Sequence, residues 1–302
     1  MMMHRKNSRV ATTMIILMLG QMTQIPSDAQ SRRRSSRENE TRASIESADS
    51  SDYSLDWVCQ NLPSDSLGTV PIDEMAAQEP LPVNDRRVVA GRKRAERLLP
   101  VAKKLLPAAL KRLSLTYLED TSDLKRITAR VSAIDTIKPD IEAHDNALVG
   151  SHNPREIVFG TVFLAGLRSD EAMIAVIAHE LSHVVDGPDR VLQNLFMRIS
   201  RHASNLGGIS IHRSQGIELG CDLAGIYVLQ DYIAQTGRRE PKSHRMARAF
   251  QKNCVTLDLA DDTHLSPRTT QRLLFMLEPN AVGAIEAKET GSMQSSKVGR
   301  AH

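Results

Sequence analysis

The chain has 302 residues, of which 41% are hydrophobic and 25% charged, enough to bury one substantial core with tails left over. The formal net charge is only +3, and aromatic residues make up 3% of the chain, so the composition offers little for a nucleic-acid surface. We therefore expect one folded domain and no nucleic-acid partner.

The first 29 residues have the layout of a cleavable export signal. A basic stretch over residues 1–9 precedes a short apolar run over residues 10–20, and Ser27-Asp28-Ala29 supplies small residues before a cleavage point. This layout predicts export to the periplasm or the extracellular space. Because the apolar run is too short to span a bilayer comfortably, we expect no transmembrane helix in the mature chain. The alternative is an uncleaved anchor that tethers the domain to a membrane.

Residues 30–84 are predicted to be a linker. Residues 30–54 are rich in serine and charge and are predicted to be disordered, while residues 61–84 contain several prolines and are predicted to be extended chain on the domain surface. The Arg32-Arg33-Arg34 cluster allows peripheral contact with anionic lipid. The folded domain is expected over residues 85–280, followed by a flexible tail over residues 281–302.

The first half of the domain predicts one long helix and a small sheet. A basic amphipathic helix begins near residue 85, and Pro100 and Pro107 predict breaks in it. Two β-like segments follow, over residues 127–134 and 156–164, with turn-rich sequence between them.

The second half is predicted to be helical. Ser169 is expected to cap a helix that ends at Gly187-Pro188. Further helices are predicted over residues 190–205, 214–235, 242–259 and 266–277. The fold class is therefore α+β and predominantly helical, with a small β-sheet beside the helix that Ser169 begins.

That helix carries the sequence His179-Glu180-Leu181-Ser182-His183. Residues four apart on a helix project from one face, so the imidazoles of His179 and His183 can bind one Zn²⁺ ion per chain. Glu180 lies beside that face, where it can accept a proton from a metal-bound water. The pattern predicts a catalytic zinc site, and the alternative is a pair of ordinary core or surface histidines.

A carboxylate pair on the next long helix can complete the site. Glu218 and Asp222 are again four residues apart, so Glu218 is the expected third ligand and Asp222 is expected to orient a ligand histidine. His202 and His212 are rival ligands. We expect Gly216, Gly220 and Gly225 to let this helix pack closely on the motif helix. The alternative is that Glu218 and Asp222 are simply part of an exposed acidic face.

The three cysteines are Cys59, Cys221 and Cys254, an odd number that allows at most one bridge and leaves one thiol. Their pairing cannot be read from the sequence. A bridge or an inert buried thiol is expected, and the rival hypothesis is that the thiolate of Cys59 caps the metal and keeps the protein latent.

The chain resembles the zinc metallopeptidases that include HtpX and the CAAX prenyl proteases, known as metallopeptidase family 48. The resemblance extends over residues 84–277. It rests on Arg130-Val131, Asn146-Ala147, the segment Ile157-Val158-Phe159-Gly160, the sequence Ala178 to His183, and Glu218-Leu219-Gly220-Cys221-Asp222.

This resemblance implies a zincin-like domain of the gluzincin type, with His179, His183 and Glu218 as ligands and Glu180 as the catalytic base. It implies that substrate binds as a strand added to the sheet at residues 156–164. His264 and Arg272 resemble family residues that stabilise the oxyanion, although Leu265 stands where the family has proline, and Arg272 comes about two residues late.

The predicted function is that of an exported zinc metalloendopeptidase acting on unfolded or extended polypeptides of the cell envelope, with a role in protein quality control. One alternative is a non-proteolytic, zinc-dependent chaperone or assembly factor with the same peptide groove. Another is a structural zinc module, in which a fourth protein ligand would close the site. Glu180 favours the enzyme, because a purely structural site has no need of a base.

Overall fold

The computed structural model describes residues 58–59, 68–119, 124–149, 155–187, 189–237 and 240–279. The predicted export signal, the disordered part of the predicted linker and the predicted C-terminal tail lie outside these ranges. All the described residues belong to one compact unit.

Helices dominate the described residues, and three short strands lie near the middle of the chain. In chain order the elements are α1 (Ile72–Ala76), α2 (Arg86–Thr116), α3 (Leu124–Ala133), β1 (Thr136–Asp140), β2 (Ala147–Val149), β3 (Glu156–Gly160), α4 (Thr161–Gly166), α5 (Asp170–Asp186), α6 (Gln193–Gly207), α7 (Arg213–Thr236), α8 (Lys242–Phe250), the 3₁₀ turn Gln251–Asn253 and α9 (Pro267–Leu277). The predicted α+β class, mostly helical with a small sheet, is confirmed.

The N-terminal part of the domain corrects two predictions. The segment predicted to be extended contains the helix α1, and its Met75 is fully buried in the core. The long helix α2 runs without a break through Pro100 and Pro107. Pro100 is exposed and Pro107 half-buried, and the fully buried residues that flank them belong to a single apolar face. Packing of that face outweighs the local cost of the prolines.

The prediction of a first strand over residues 127–134 is wrong, because residues 124–133 form α3. The apolar residues alternate as in a strand, but Ile127, Val131 and Ile134 also follow helical spacing, and only these three are buried. The second predicted strand is correct over β3, whereas residues 161–164 belong to α4.

The sheet has the order β1-β3-β2, with β1 parallel and β2 antiparallel to β3. Because β3 is paired on both sides, residues 156–160 cannot accept an added strand, which corrects the edge predicted there. The edges are β1 and β2. Pro139 within β1 suits an edge position, since proline has no N–H to donate to a neighbouring strand.

Helix α5 begins and ends as predicted and is fixed in the core by a buried ion pair. The Ser169 side chain accepts a hydrogen bond from the N–H of Ala172, and Gly187 ends the helix with a φ of 55°. In the first turn, Glu171 accepts a 2.7 Å hydrogen bond from Nε of Arg245 on α8, and both side chains are about 1% exposed. This pair holds the start of the motif helix against α8.

Helix α7 packs between α5 and α6, which partly corrects the explanation of its glycines. Only Gly225 approaches the motif helix, where an added Cβ would lie 2.7 Å from the backbone oxygen of Ala175. Gly216 and Gly220 instead make room for Ser200 and Phe196 of α6. One glycine therefore brings α7 close to α5, and two bring it close to α6.

None of the described helices combines the length and the apolar composition needed to cross a bilayer.

Candidate metal centre and active-site cleft

The site lies where α5 and α7 face each other. Helical spacing places His179 and His183 one turn apart on α5, and Glu218 and Asp222 one turn apart on α7. The structure thus brings together both predicted histidine ligands, the predicted third ligand and the predicted orienting carboxylate.

Three side-chain atoms converge with the separations that a tetrahedral ion requires. The Nε2 atoms of His179 and His183 are 3.2 Å apart, and Oε2 of Glu218 is 3.1 Å from the first and 3.3 Å from the second. Bonds of 2.0–2.1 Å at tetrahedral angles place ligand atoms about 3.3–3.4 Å apart. The donor set of two imidazoles and one carboxylate therefore fits Zn²⁺ in both chemistry and spacing.

The other nitrogen of each imidazole has its own partner on α7. Nδ1 of His179 lies 2.9 Å from Oδ1 of Asp222, and Nδ1 of His183 lies 3.7 Å from Sγ of Cys221. These contacts turn both Nε2 atoms toward the same point. Asp222 was expected in this role. Cys221 was not, because a cysteine next to the carboxylate pair carries no signal of its own in one sequence.

The electrostatics of the metal-free site are those of cations and carboxylates held close together. Burial alone would lower the pKa of His179, but the carboxylates around it, chiefly that of Asp222, outweigh burial and raise that pKa to about 10. Although burial acts in the opposite sense, hydrogen bonds from His179 and His183 hold the pKa of Glu218 below its usual range. The cluster is therefore matched to a positive charge, whether protons or a metal ion.

Glu180 lies beside the ligands without belonging to the converging set. Its side chain is only 6% exposed, and this burial raises the pKa of its carboxyl group, while His179 and His183 oppose the shift. A carboxylate with a raised pKa next to a metal site is suited to accepting and returning a proton.

An open cleft of about 320 Å³ adjoins Glu218 and Asp222. Its lining comes from the α1 start, the loop before β2, α7, and the segment from the 3₁₀ turn to α9. The residues are Ile72, Asp145, Asn146, Gln215, Glu218, Leu219, Asp222, Lys252, Asn253, Leu259, Asp261, His264, Leu265, Pro267 and Thr270. Lys252 was missed from the sequence, because it lies thirty residues from Asp222 and belongs to no motif.

His264 reaches the site from the loop before α9. Its Nε2 lies 3.5 Å from Oε2 of Glu218, and this contact raises the pKa of His264. Asp261 shapes the loop by accepting 2.6 Å hydrogen bonds from the N–H groups of Thr263 and His264. Arg272 is not among the cleft-lining residues, and its half-buried side chain has a buried Nε with no hydrogen-bond partner in the described part of the chain.

The loop that carries His264 is tied to the segment around α1. Cys59 and Cys254 form a disulfide with Cα atoms 5.4 Å apart, and the remaining thiol, Cys221, is buried. Oδ2 of Asp73 on α1 accepts hydrogen bonds from the N–H groups of Thr256 and Leu257. The disulfide excludes Cys59, in this form of the protein, as a thiolate that caps the metal.

The rival ligands lie elsewhere. The ring of His202 packs edge-on against Tyr117, with centroids 6.0 Å apart. His212 caps the start of α7, where its backbone N–H donates to the side chain of Gln215. Neither belongs to the converging set.

A histidine pair on one helix, completed by a carboxylate from a second helix beside a small sheet, defines a zincin-like metallopeptidase domain. Residues 121–237 match the model of Peptidase family M48, so this segment is similar to that family of metallopeptidases. No curated protein and no solved structure matches the chain. The matched segment includes every ligand of the site and ends before His264 and Arg272, so the roles of these two residues stay predictions.

Proposed function

We propose that this protein is an exported zinc endopeptidase that hydrolyses unfolded or extended polypeptides, with protein quality control in the cell envelope as its setting. The observation that carries the proposal is the tetrahedral spacing of the donor atoms of His179, His183 and Glu218, with Glu180 beside them but outside the ligand set. A structural zinc site would use a fourth protein ligand, and among the described residues only three donors converge.

The residues would divide the reaction as follows. Zinc, when bound, acidifies a water molecule and polarises the carbonyl of the scissile bond. Glu180 accepts the proton from the attacking water and returns it to the leaving amine, which its raised pKa favours. His264, half-exposed at the mouth of the cleft, donates a hydrogen bond to the carbonyl oxygen as negative charge develops there.

Recognition of extended chain is supported by β2, which pairs with a strand on one side only among the described residues. The loop that leads into β2 contributes Asp145 and Asn146 to the cleft lining, so a peptide paired with β2 would lie beside the ligands. Main-chain hydrogen bonds to a strand edge are independent of side chains, which suits a broad set of unfolded substrates.

Export is supported by the layout of residues 1–29 and by the disulfide between Cys59 and Cys254. Disulfides persist in oxidising compartments such as the periplasm and the extracellular space.

The proposal is tested by metal analysis together with cleavage of a reduced, alkylated protein substrate. Wild type, Glu180→Gln and the exposed control Glu142→Gln should each bind one zinc ion. Glu180→Gln should cleave about 10²–10⁴-fold more slowly, because only the base is lost. Absence of zinc at neutral pH would overturn the metal site. Zinc binding without cleavage by wild type would instead favour the chaperone or assembly factor.

A further inference from the structure

The outward face of α2 forms a continuous stripe that the peptidase site does not use. The residues on it recur every three or four positions, and all are exposed: Arg86, Ala90, Lys93, Arg97, Pro100, Lys104, Ala108, Lys111 and Leu115. A helix of this length, 31 residues, extends roughly 46 Å. The basic stripe, as we call these nine residues, is therefore a long and nearly linear surface.

The basic stripe carries five cations and no acid. Arg97 donates a 2.6 Å hydrogen bond to Asp170, a carboxylate that it shares with Arg94. The other four cations form no ion pair with any described residue. Like charges aligned along one helix face repel one another, and an anionic surface opposite them would relieve that repulsion.

Two leucines project at the C-terminal end of the basic stripe. Leu115 is 67% exposed and Leu118 is 82% exposed, which is high solvent exposure for large apolar side chains. Leu118 has a φ of 53°, in the left-handed region that a leucine rarely adopts. The turn thus holds an apolar side chain in water at some conformational cost.

A basic hollow lies beside these leucines. It has a volume of about 370 Å³, and Tyr117, Arg198, Arg201 and His202 contribute to its wall. Arg198 is paired with Glu119, whereas Arg201 forms no ion pair with a described residue. The hollow could receive an anionic headgroup next to the point where the leucines enter a bilayer.

We propose that the basic stripe and the two leucines dock the protein on an anionic lipid bilayer. Lys and Arg along the helix would meet lipid phosphates, while Leu115 and Leu118 would enter the acyl boundary. Exposed leucines favour a bilayer over nucleic acid, which would offer them no apolar environment. The surface is separate from the proposed peptidase site, because no residue of α2 lines the described cleft.

Vesicle sedimentation tests the charge contribution. The full chain and the triple variant Lys93→Gln, Lys104→Gln, Lys111→Gln are mixed with vesicles of 30% phosphatidylglycerol in phosphatidylethanolamine, and with pure phosphatidylcholine. A basic residue at an anionic surface strengthens binding about fivefold, so the triple variant should bind roughly a hundredfold more weakly at low salt. The matched control Lys138→Gln, Arg213→Gln, Lys242→Gln removes three exposed cations elsewhere and should bind like wild type.

A local probe tests insertion independently of any binding by residues 1–57. An environment-sensitive fluorophore on Leu118→Cys should shift to the blue with the anionic vesicles and become shielded from an aqueous quencher. The same label on Leu257→Cys, also exposed, should do neither. The native cysteines are bonded or buried, so the label reports the new thiol.

Equal behaviour of the two labels, or binding of the charge variant within twofold of wild type, would overturn the proposal. Binding to a DNA duplex but not to vesicles would overturn it in favour of nucleic acid. Cleavage of a soluble substrate should be the same in the charge variant as in wild type, so the docking surface and the peptidase site can fail separately.

Discussion

The two sides of the active site, which we call its walls, are built differently. On one side, His179, Glu180 and His183 belong to a helix buried in the core, and Glu218 and Asp222 to a second helix packed against it. Hydrogen bonds between the two helices fix the ligand atoms. This helical wall gains its precision from the packing of the whole domain.

The opposite wall, residues 251–265, has little regular structure beyond its initial 3₁₀ turn. It is held by the Cys59–Cys254 disulfide, by Asp73 of α1, and by the hydrogen bond from the Thr69 N–H to the Gln251 side chain. Lys252 and His264 face the cleft from this loop wall. The difference teaches that the geometry of the three converging donors depends on the core, whereas the cleft-facing groups of the loop depend on cross-links to the N-terminal segment.

Removing a ligand from the helical wall should have the largest effect. Glu218→Ala should abolish both stoichiometric zinc binding and cleavage. Asp222→Asn keeps the three ligands and loses the charge that orients His179, so zinc affinity should fall about 10–100-fold. Competition with a chromophoric chelator measures the zinc affinity of both variants. A greater loss of zinc in Asp222→Asn than in Glu218→Ala would reassign the third ligand.

The pH dependence of zinc binding tests the electrostatics of the same helical wall. Because the metal-free pKa of His179 is raised to about 10, zinc must displace a proton throughout the neutral range. For each proton that zinc displaces, the apparent affinity for zinc should rise about tenfold per pH unit. In Asp222→Asn the pKa of His179 should be lower, so the slope between pH 7.5 and 9 should be shallower. Equal slopes would contradict this account.

A change in the loop wall should separate catalysis from metal binding. His264→Ala should keep its zinc and lose about a hundredfold in kcat, the usual effect of removing one oxyanion donor. His202→Ala, remote from the cleft, is the matched control and should be close to wild type. Loss of zinc from His264→Ala would show that the two walls are not independent.

The smallest effect on the metal should follow from removing the disulfide. The double variant Cys59→Ser, Cys254→Ser should lose about 2–5 kcal/mol of stability, lowering Tm by about 5–15 °C, because a long loop is no longer closed. Zinc affinity of the folded protein should stay within about threefold of wild type. An unchanged Tm together with loss of zinc would contradict the claim that the disulfide supports the loop wall and not the metal site.

The helical wall could be predicted from the sequence because its information is local. The spacing of His179 and His183, the Ser169 cap and the carboxylate pair on α7 each follow from helical periodicity. The family match covers the same stretch. The end of α5 was found because Gly187 supplies the positive φ at that position.

The rest depended on contacts between distant parts of the chain. Residues 127–134 alternate and also follow helical spacing, and only packing decided between the two. The central position of β3 required knowledge of strand order, and the pairing of Cys59 with Cys254 joins residues 195 apart. Lys252 reaches the cleft through that long-range arrangement and has no local signature.

The disulfide also closes the chain into a covalent ring. Both α5 and α7 lie between Cys59 and Cys254, so the ring includes every residue of the metal centre. A single peptide-bond cut within the ring, whether by this protease or by another, leaves the two fragments joined. If the protein acts among unfolded chains, as proposed, a nick would not by itself release half of the active site.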